Sequence, residues 1–351
     1  MKNSPFISLL FTSFSVVFLN YEAQVQGCFP KDKLPAHITS LTNFGERAEW
    51  SLDGKKVYFV DKAGGEVWTV DIKKKKARQI TEPEDRPQGH GYYRVLCLAN
   101  GDLLFGCGAE RHKLYFQVQD REFKSPPKNI EGEELDEGPA VSRKTMKIAW
   151  TLPGQKQIFA GEIAYSNGQP KIINKKLAVD NKNVVADDDL KYEDIIESQN
   201  WNPKNENELI FSQYKRNGSF RSEVFSINLV TGKIINHTKA ADLYDEPEGI
   251  FPDGEYTLFE SDRHEPTKGI STIDIYKLKL DGTGKNVKRL TFFSNVKGYR
   301  SSNPVVRDDA NFIAFQGAQA NSGAGVGCGL YLFDVKKFRK SDKANKVQEA
   351  K

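Results

Sequence analysis

The stretch GIFPDGEYTLFESDRHEPTKGISTIDIYKLKLDGTGKNVKRLT, Gly249 to Thr291, decides the fold. A Pro-Asp-Gly turn leads into an apolar run ending at Ser261. A loop, the alternating run DIYKLKLDG, a basic turn and a short segment closing on Leu290-Thr291 follow. Each run is short, rich in β-branched and aromatic residues, and bounded by Gly, Asp or Asn, which is the pattern of strands. The stretch EWSLDGKKVYFVDKAGGEVWTVDIKKKKARQIT, Glu49 to Thr81, repeats the same order of strands and turns and also ends in Thr after an apolar residue.

Weaker copies fill the rest of the chain: YYRVLCLANGDLLFGCG, EGPAVSRKTMKIAWTL, SQNWNPKNENELIFSQYK and SSNPVVRDDANFIAFQGA, each followed by a further apolar run. The count is about six units of roughly 40 to 60 residues, the range of propeller blades. The last unit holds three strands, and HITSLT, His37 to Thr42, ends like the fourth strand of the others. The expected fold is therefore all-β: a six-bladed β-propeller over residues 37–339 whose last blade is closed by the N-terminal strand. A pair of β-sandwiches explains the short strands but not a recurring four-strand unit. The acidic segment AVDNKNVVADDDLKYEDIIES, residues 178–198, reads as a surface insertion between blades, and residues 340–351 as a flexible basic tail.

The 351 residues are 38% hydrophobic and 28% charged, the composition of a globular chain with a sizeable core. The formal charge of +4 draws on Lys73–Lys76 and the tail. Neither run interleaves aromatics as a nucleic-acid stripe does, so no nucleic-acid partner is expected. Near the N-terminus, PFISLLFTSFSVVFL has the length of a signal-peptide core and is short for a membrane span. Residues 1–27 are the expected signal peptide, and export to the periplasm or the medium the expected fate. VQGC, ending at Cys28, loosely matches a lipobox, so ordinary cleavage and lipidation of Cys28 both stand, and a lipid anchor is the one membrane attachment considered. Cys97 and Cys107 flank an Asn-Gly hairpin turn out of register, and the four cysteines are read as small buried side chains without a disulfide.

Units reading apolar-Ser/Pro-x-Asp-Gly, then a strand ending in Ser-Asp-Arg, then DIYKLKLDG and RLT resemble the repeats of TolB-like propellers, which are WD-like units of exported bacterial proteins. With EGPAVSR, DEPEGIFPDG and SNPVVRDDANFIAFQ, the chain is similar to single-domain TolB-like proteins that have no assigned activity. The resemblance covers His37 to about Val335 and implies fold and compartment; propellers host unrelated activities, so it leaves function open.

In a propeller the entries into each first strand share a face with the loops joining second to third strands. That sorting puts SLDG, FPDG, DDA and the four lysines on one face. The other receives a ring of Arg47, Glu49, His90, Tyr92, Arg94, Glu137, Glu197, Gln199, Glu246, Glu248, Arg300 and Asn303. A ring of mixed charge around a funnel suits a polar ligand; it equally suits a channel whose residues satisfy one another and water. The resemblance implies that the Ser-Asp-Arg triplet ends second strands, so Asp262 and Arg263 read as structural, the Asp capping the loop and the Arg pairing with it.

The five histidines form no HxxxH or HxH pair. A propeller-type oligogalacturonate lyase would gather His90 with His112 and His264 around a metal. GAGVGCG, Gly323 to Gly329, lacks the setting of a phosphate loop and reads as a flexible loop. The expected function is binding of a saccharide, another polar small molecule or a cell-envelope protein at the funnel, by a monomer. A carbohydrate-active enzyme and an interaction scaffold are the alternatives. No cofactor is expected; a divalent cation is a candidate occupant of the funnel.

Overall fold

The computed structural model describes residues 28–184, 195–216 and 220–349. The expected signal peptide lies outside them. Six four-stranded antiparallel sheets follow one another along the chain. Blade I runs from Glu46–Trp50 to Ala77–Gln79, blade II from Gly91–Cys97 to Lys128–Leu135, and blade III from Ala140–Val141 to Gln169–Asp180. Blade IV runs from Ile195–Trp201 to Ile234–Asn236 and blade V from Asp245–Ile250 to Val287–Arg289. Blade VI combines Tyr299–Val306, Phe312–Gln319 and Gly329–Asp334 with Ile38–Ser40, whose partners are Phe333 to Tyr331. The six-bladed propeller and its closing N-terminal strand are thus as the repeats predict.

The core lies between blades, where alternate side chains of neighbouring sheets meet. One cluster joins Ile210 and Val224 of blade IV to Phe259 and Leu278 of blade V. Another joins Trp50, Val57 and Phe59 of blade I to Ala314 and Leu330 of blade VI.

Four expectations need correction. Cys28 is disulfide-bonded to Cys328, 300 residues away, with Cα atoms 5.3 Å apart; Cys97 and Cys107 are buried free thiols. Ring closure brings the segment before the first strand against a blade VI loop, a proximity invisible in local spacing. With its sulfur in that bond, Cys28 has no free thiol to take a lipid. The 178–198 segment is strand at both ends, through Asp180 and from Ile195, with residues 185–194 outside the described set. The basic tail begins as a helix, Val335–Glu349. Asp334 accepts from the amide of Lys337 as an N-cap, and Phe338 packs on His37 and Phe333. Finally, GAGVGCG is tied down: Gly323 and Ala324 carbonyls accept from Arg300 and Arg111, and Gly327 donates to Glu46 at 2.8 Å. No described helix is long and apolar enough to cross a membrane.

Candidate functional site: the central channel

Five of the six first strands carry a break in register at the same height. In blades II, IV and V it falls between Tyr92 and Arg94, Ser198 and Asn200, and Pro247 and Gly249. In blades I and VI it spans Glu46 to Glu49 and Ser302 to Val305. Such bulges add backbone to one strand and re-aim a side chain out of the pleat. Here they release Arg47, Gln199, Glu248 and Asn303 from the interblade packing. Arg47 and Asn303 take the left-handed backbone conformation, with φ of 57° and 47°.

These four residues and Arg94 form a waist where two cavities meet. Above it, on the face of the strand-one entries, lies a funnel of about 230 Å³. Below it lies a chamber of about 330 Å³. A pocket formed by Leu52–Lys55, Asp71–Lys73 and Arg307–Asp309 brings the SLDG and DDA turns together with Lys73, and shares Asp308 with the lower chamber.

The funnel wall carries five carboxylates, Glu137, Glu197, Glu246, Glu248 and Glu260, against three guanidiniums, Arg47, Arg94 and Arg111. Two of the cations serve one acid. Glu137 accepts from Arg111 Nη2 at 2.6 Å and from Arg47. Burial alone would raise its pKa; the two guanidiniums prevail and hold it at about 2. The other four have little to offset burial. Burial and the charges of Glu137 and Glu246 push Glu197 up to about 8. Removal from water, then Glu248, pushes Glu246 to about 7. Glu248 and Glu260 are raised to about 8, again mainly by burial.

The hydrogen bonds point the same way. The Tyr214 hydroxyl lies 2.9 Å from Glu197 Oε2 and also contacts Glu246 Oε1, while Tyr244 contacts Glu246 Oε2. One phenolic proton serves one of Tyr214's two carboxyl contacts, so the other is complete when that carboxyl carries a proton. Gly138, at φ 76°, gives this group room, because a Cβ there would collide with Glu197.

At the waist, Asn303 Nδ2 donates to Glu248 Oε1 at 2.7 Å, and Gln199 Nε2 reaches Glu246 at 3.4 Å. Each amide spends its N–H on a glutamate, which fixes its orientation. The amide oxygens of Gln199, Asn200 and Asn303 are then buried with no donor among the described residues. Arg94 reaches Glu248 only at 3.5 Å, and its Nε is likewise unpaired. Buried polar groups are ordinarily satisfied, so these oxygens mark where donors from outside the chain belong.

Of the twelve ring residues predicted, Arg47, Arg94, Glu137, Glu197, Gln199, Glu246, Glu248 and Asn303 meet in the funnel. Four do not. Glu49 lines the lower chamber and pairs with Arg143 at 2.9 Å. Tyr92 precedes the bulge, so the regular pleat turns it into the core, 4.9 Å from the Phe105 ring and under Arg86. The His90 ring lies 5.8 Å from Tyr115, and its carbonyl accepts from Arg86. Arg300 is buried and donates to the carbonyls of Ile270, Ser322 and Gly323. Neither do the histidines converge: His112 bonds Asp136, and His264 bonds Tyr276 and Ser294. Asp262 accepts from the Tyr244 amide as a cap, but Arg263 pairs with Asp245 at 2.6 Å and not with Asp262.

Sequence reading missed Tyr214, Tyr244, Glu260 and Arg111. Glu260 stands in the stretch that decides the fold, and Arg111 in the loop GAERHK; two glutamates without nearby cations in DEPEG were the signal that buried phenols would be needed.

No family model and no curated protein matches the sequence. Solved structures do. A TolB-designated protein from Agrobacterium tumefaciens is 15% identical with a TM-score of 0.52, over 73% of this chain and 78% of that one. A puromycin-hydrolyzing peptidase from Mycobacterium tuberculosis is 12% identical with a TM-score of 0.50, over 87% of this chain and 45% of that one. Regucalcin, a calcium-binding protein from Agrobacterium tumefaciens, is 8% identical with a TM-score of 0.50, over 84% and 90%. At these identities the likeness concerns fold alone: the chain has the TolB-like six-bladed β-propeller fold.

Proposed function

We propose that this protein is an exported binding module whose funnel holds a neutral or cationic ligand rich in hydroxyl or ammonium donors, a saccharide or amino sugar in the first instance. The observation that carries this reading is the excess of acceptors: five carboxyl groups face three guanidiniums, two of which are spent on Glu137, and the amide oxygens of Gln199 and Asn303 have no donor among the described residues. A hydroxyl offers the unpaired amide oxygens the donor they lack, and an ammonium draws the four buried glutamates into their charged form, whereas an anion adds to their mutual repulsion. The Cys28–Cys328 bond supports export, since structural disulfides belong to oxidising compartments.

The experiment is calorimetric titration of D-glucosamine into the protein and into its Glu246→Gln/Glu248→Gln variant. Glutamine mimics the protonated acid in shape, so the variant should keep its melting temperature and lose binding. Loss of stability with binding unchanged would show that the ring holds the blades and nothing else.

A further inference from the structure

The lower chamber differs in chemistry from the funnel. Its walls are half-buried apolar side chains from five blades: Leu96, Val141, Pro203, Ile250, Pro252 and Val305. Its charges are spent. Arg143 is braced between Glu49 at 2.9 Å and Asp308 at 2.8 Å, and Arg47 turns upward to Glu137. Of the other lining charges, Arg94 faces Glu248 at 3.5 Å and Lys144 is exposed to solvent. At the inner end stand buried groups without partners among the described residues: the acceptor oxygens of Asn200 and Asn303 and the donor Nε–H of Arg94. A single hydroxyl, donating once and accepting, answers one of these oxygens and the Arg94 Nε–H together.

We propose that this chamber is a second binding site, distinct from the funnel, for an uncharged ring-bearing alcohol or phenol. The ring lies among the apolar walls and the hydroxyl lies at the waist, between the Asn303 amide oxygen and Arg94. The volume of about 330 Å³ holds one or two rings. The two sites share Asn303 and Arg94 at the waist, and the inference does not rest on the identity of the funnel's ligand.

The probes are 2-phenylethanol and 4-methylphenol, compared with benzoate and benzylammonium of similar size. Binding is read by saturation-transfer NMR and by tryptophan emission, since Trp50 and Trp201 border the chamber. Ligands this small bind at roughly millimolar Kd. The two alcohols should bind at least about tenfold more tightly than either ion, a margin of 1.4 kcal/mol. Val141→Trp, which fills the chamber, should abolish binding, and Leu96→Phe on another wall provides the same test if the first variant melts early. Glu246→Gln, in the funnel, should leave alcohol binding unchanged. No binding by either alcohol, equal binding of all four probes, or binding that survives a chamber-filling variant of intact fold would each overturn the proposal.

Discussion

Asn303 of blade VI donates to Glu248 of the neighbouring blade V at 2.7 Å, and both residues sit on bulges of their first strands. The contact joins the two blades where the cavities meet and leaves the Asn303 oxygen facing the waist. It shows how this propeller makes a site: the ladder is interrupted so that a polar side chain can leave the sheet. A chain without those interruptions would turn the same residues into the interblade packing.

Stability should fall as pH rises from 6.5 to 8.5. Glu197, Glu246, Glu248 and Glu260 have folded pKa values of about 7 to 8, above the roughly 4.3 of an unfolded glutamate. The folded state therefore holds more protons in that window, and its advantage, complete below the unfolded value, is lost through the folded one. His237, whose burial lowers its pKa to about 4, acts oppositely but only below about 6.5. A thermal melt should drop by several degrees between the two pH values, and less in Glu246→Gln; a rise would contradict the buried-acid assignment.

Glu137→Gln should be the most damaging change in the funnel. It leaves Arg47 and Arg111 facing each other without their shared carboxylate. Breaking a buried pair in this way costs about 3–5 kcal/mol. Urea unfolding of the variant measures it, and a loss under about 1 kcal/mol would show that solvent already screens the pair.

How much of this was legible beforehand follows from what kind of signal each feature leaves. Turns such as Pro252-Asp253-Gly254 are local, recur, and reported the blades directly; so did His37–Thr42, a strand with no partners nearby in sequence. The acidic half of the site was also legible, because first-strand entries lie at a known place in the fold. The bulges were not. They arise at Arg47, Gln199, Glu248 and Asn303, and only the one in blade V has a glycine, Gly249, beside it; without them Tyr92 and Gln199 look equivalent. Arg300 could not be told from a ligand-binding arginine, since its partners are backbone carbonyls of two distant loops. The Cys28–Cys328 bond needed the ring to be closed first.

That bond supplies a further prediction. Cys328→Ser should lower stability by about 2–5 kcal/mol and loosen the loop that holds Arg300 and Arg111. Denaturant melts with and without reductant should differ for the native protein and coincide for the variant. Coinciding melts for the native protein would mean that the bond contributes nothing.

Removing residues before Glu46 should destabilise the whole ring, because Ile38–Ser40 supplies the outer strand of blade VI. A protein beginning at Glu46 should show one early cooperative transition by circular dichroism. An unchanged melting temperature would disprove closure by that strand.

The most direct test of the funnel's acceptor character is its selectivity among three sugars of one size. Titration of D-glucosamine, D-glucose and D-glucuronate at pH 7 should give the tightest binding for the amine, weaker binding for the neutral sugar and none for the acid. Tightest binding of glucuronate would mean that the guanidiniums govern the site, contradicting the account.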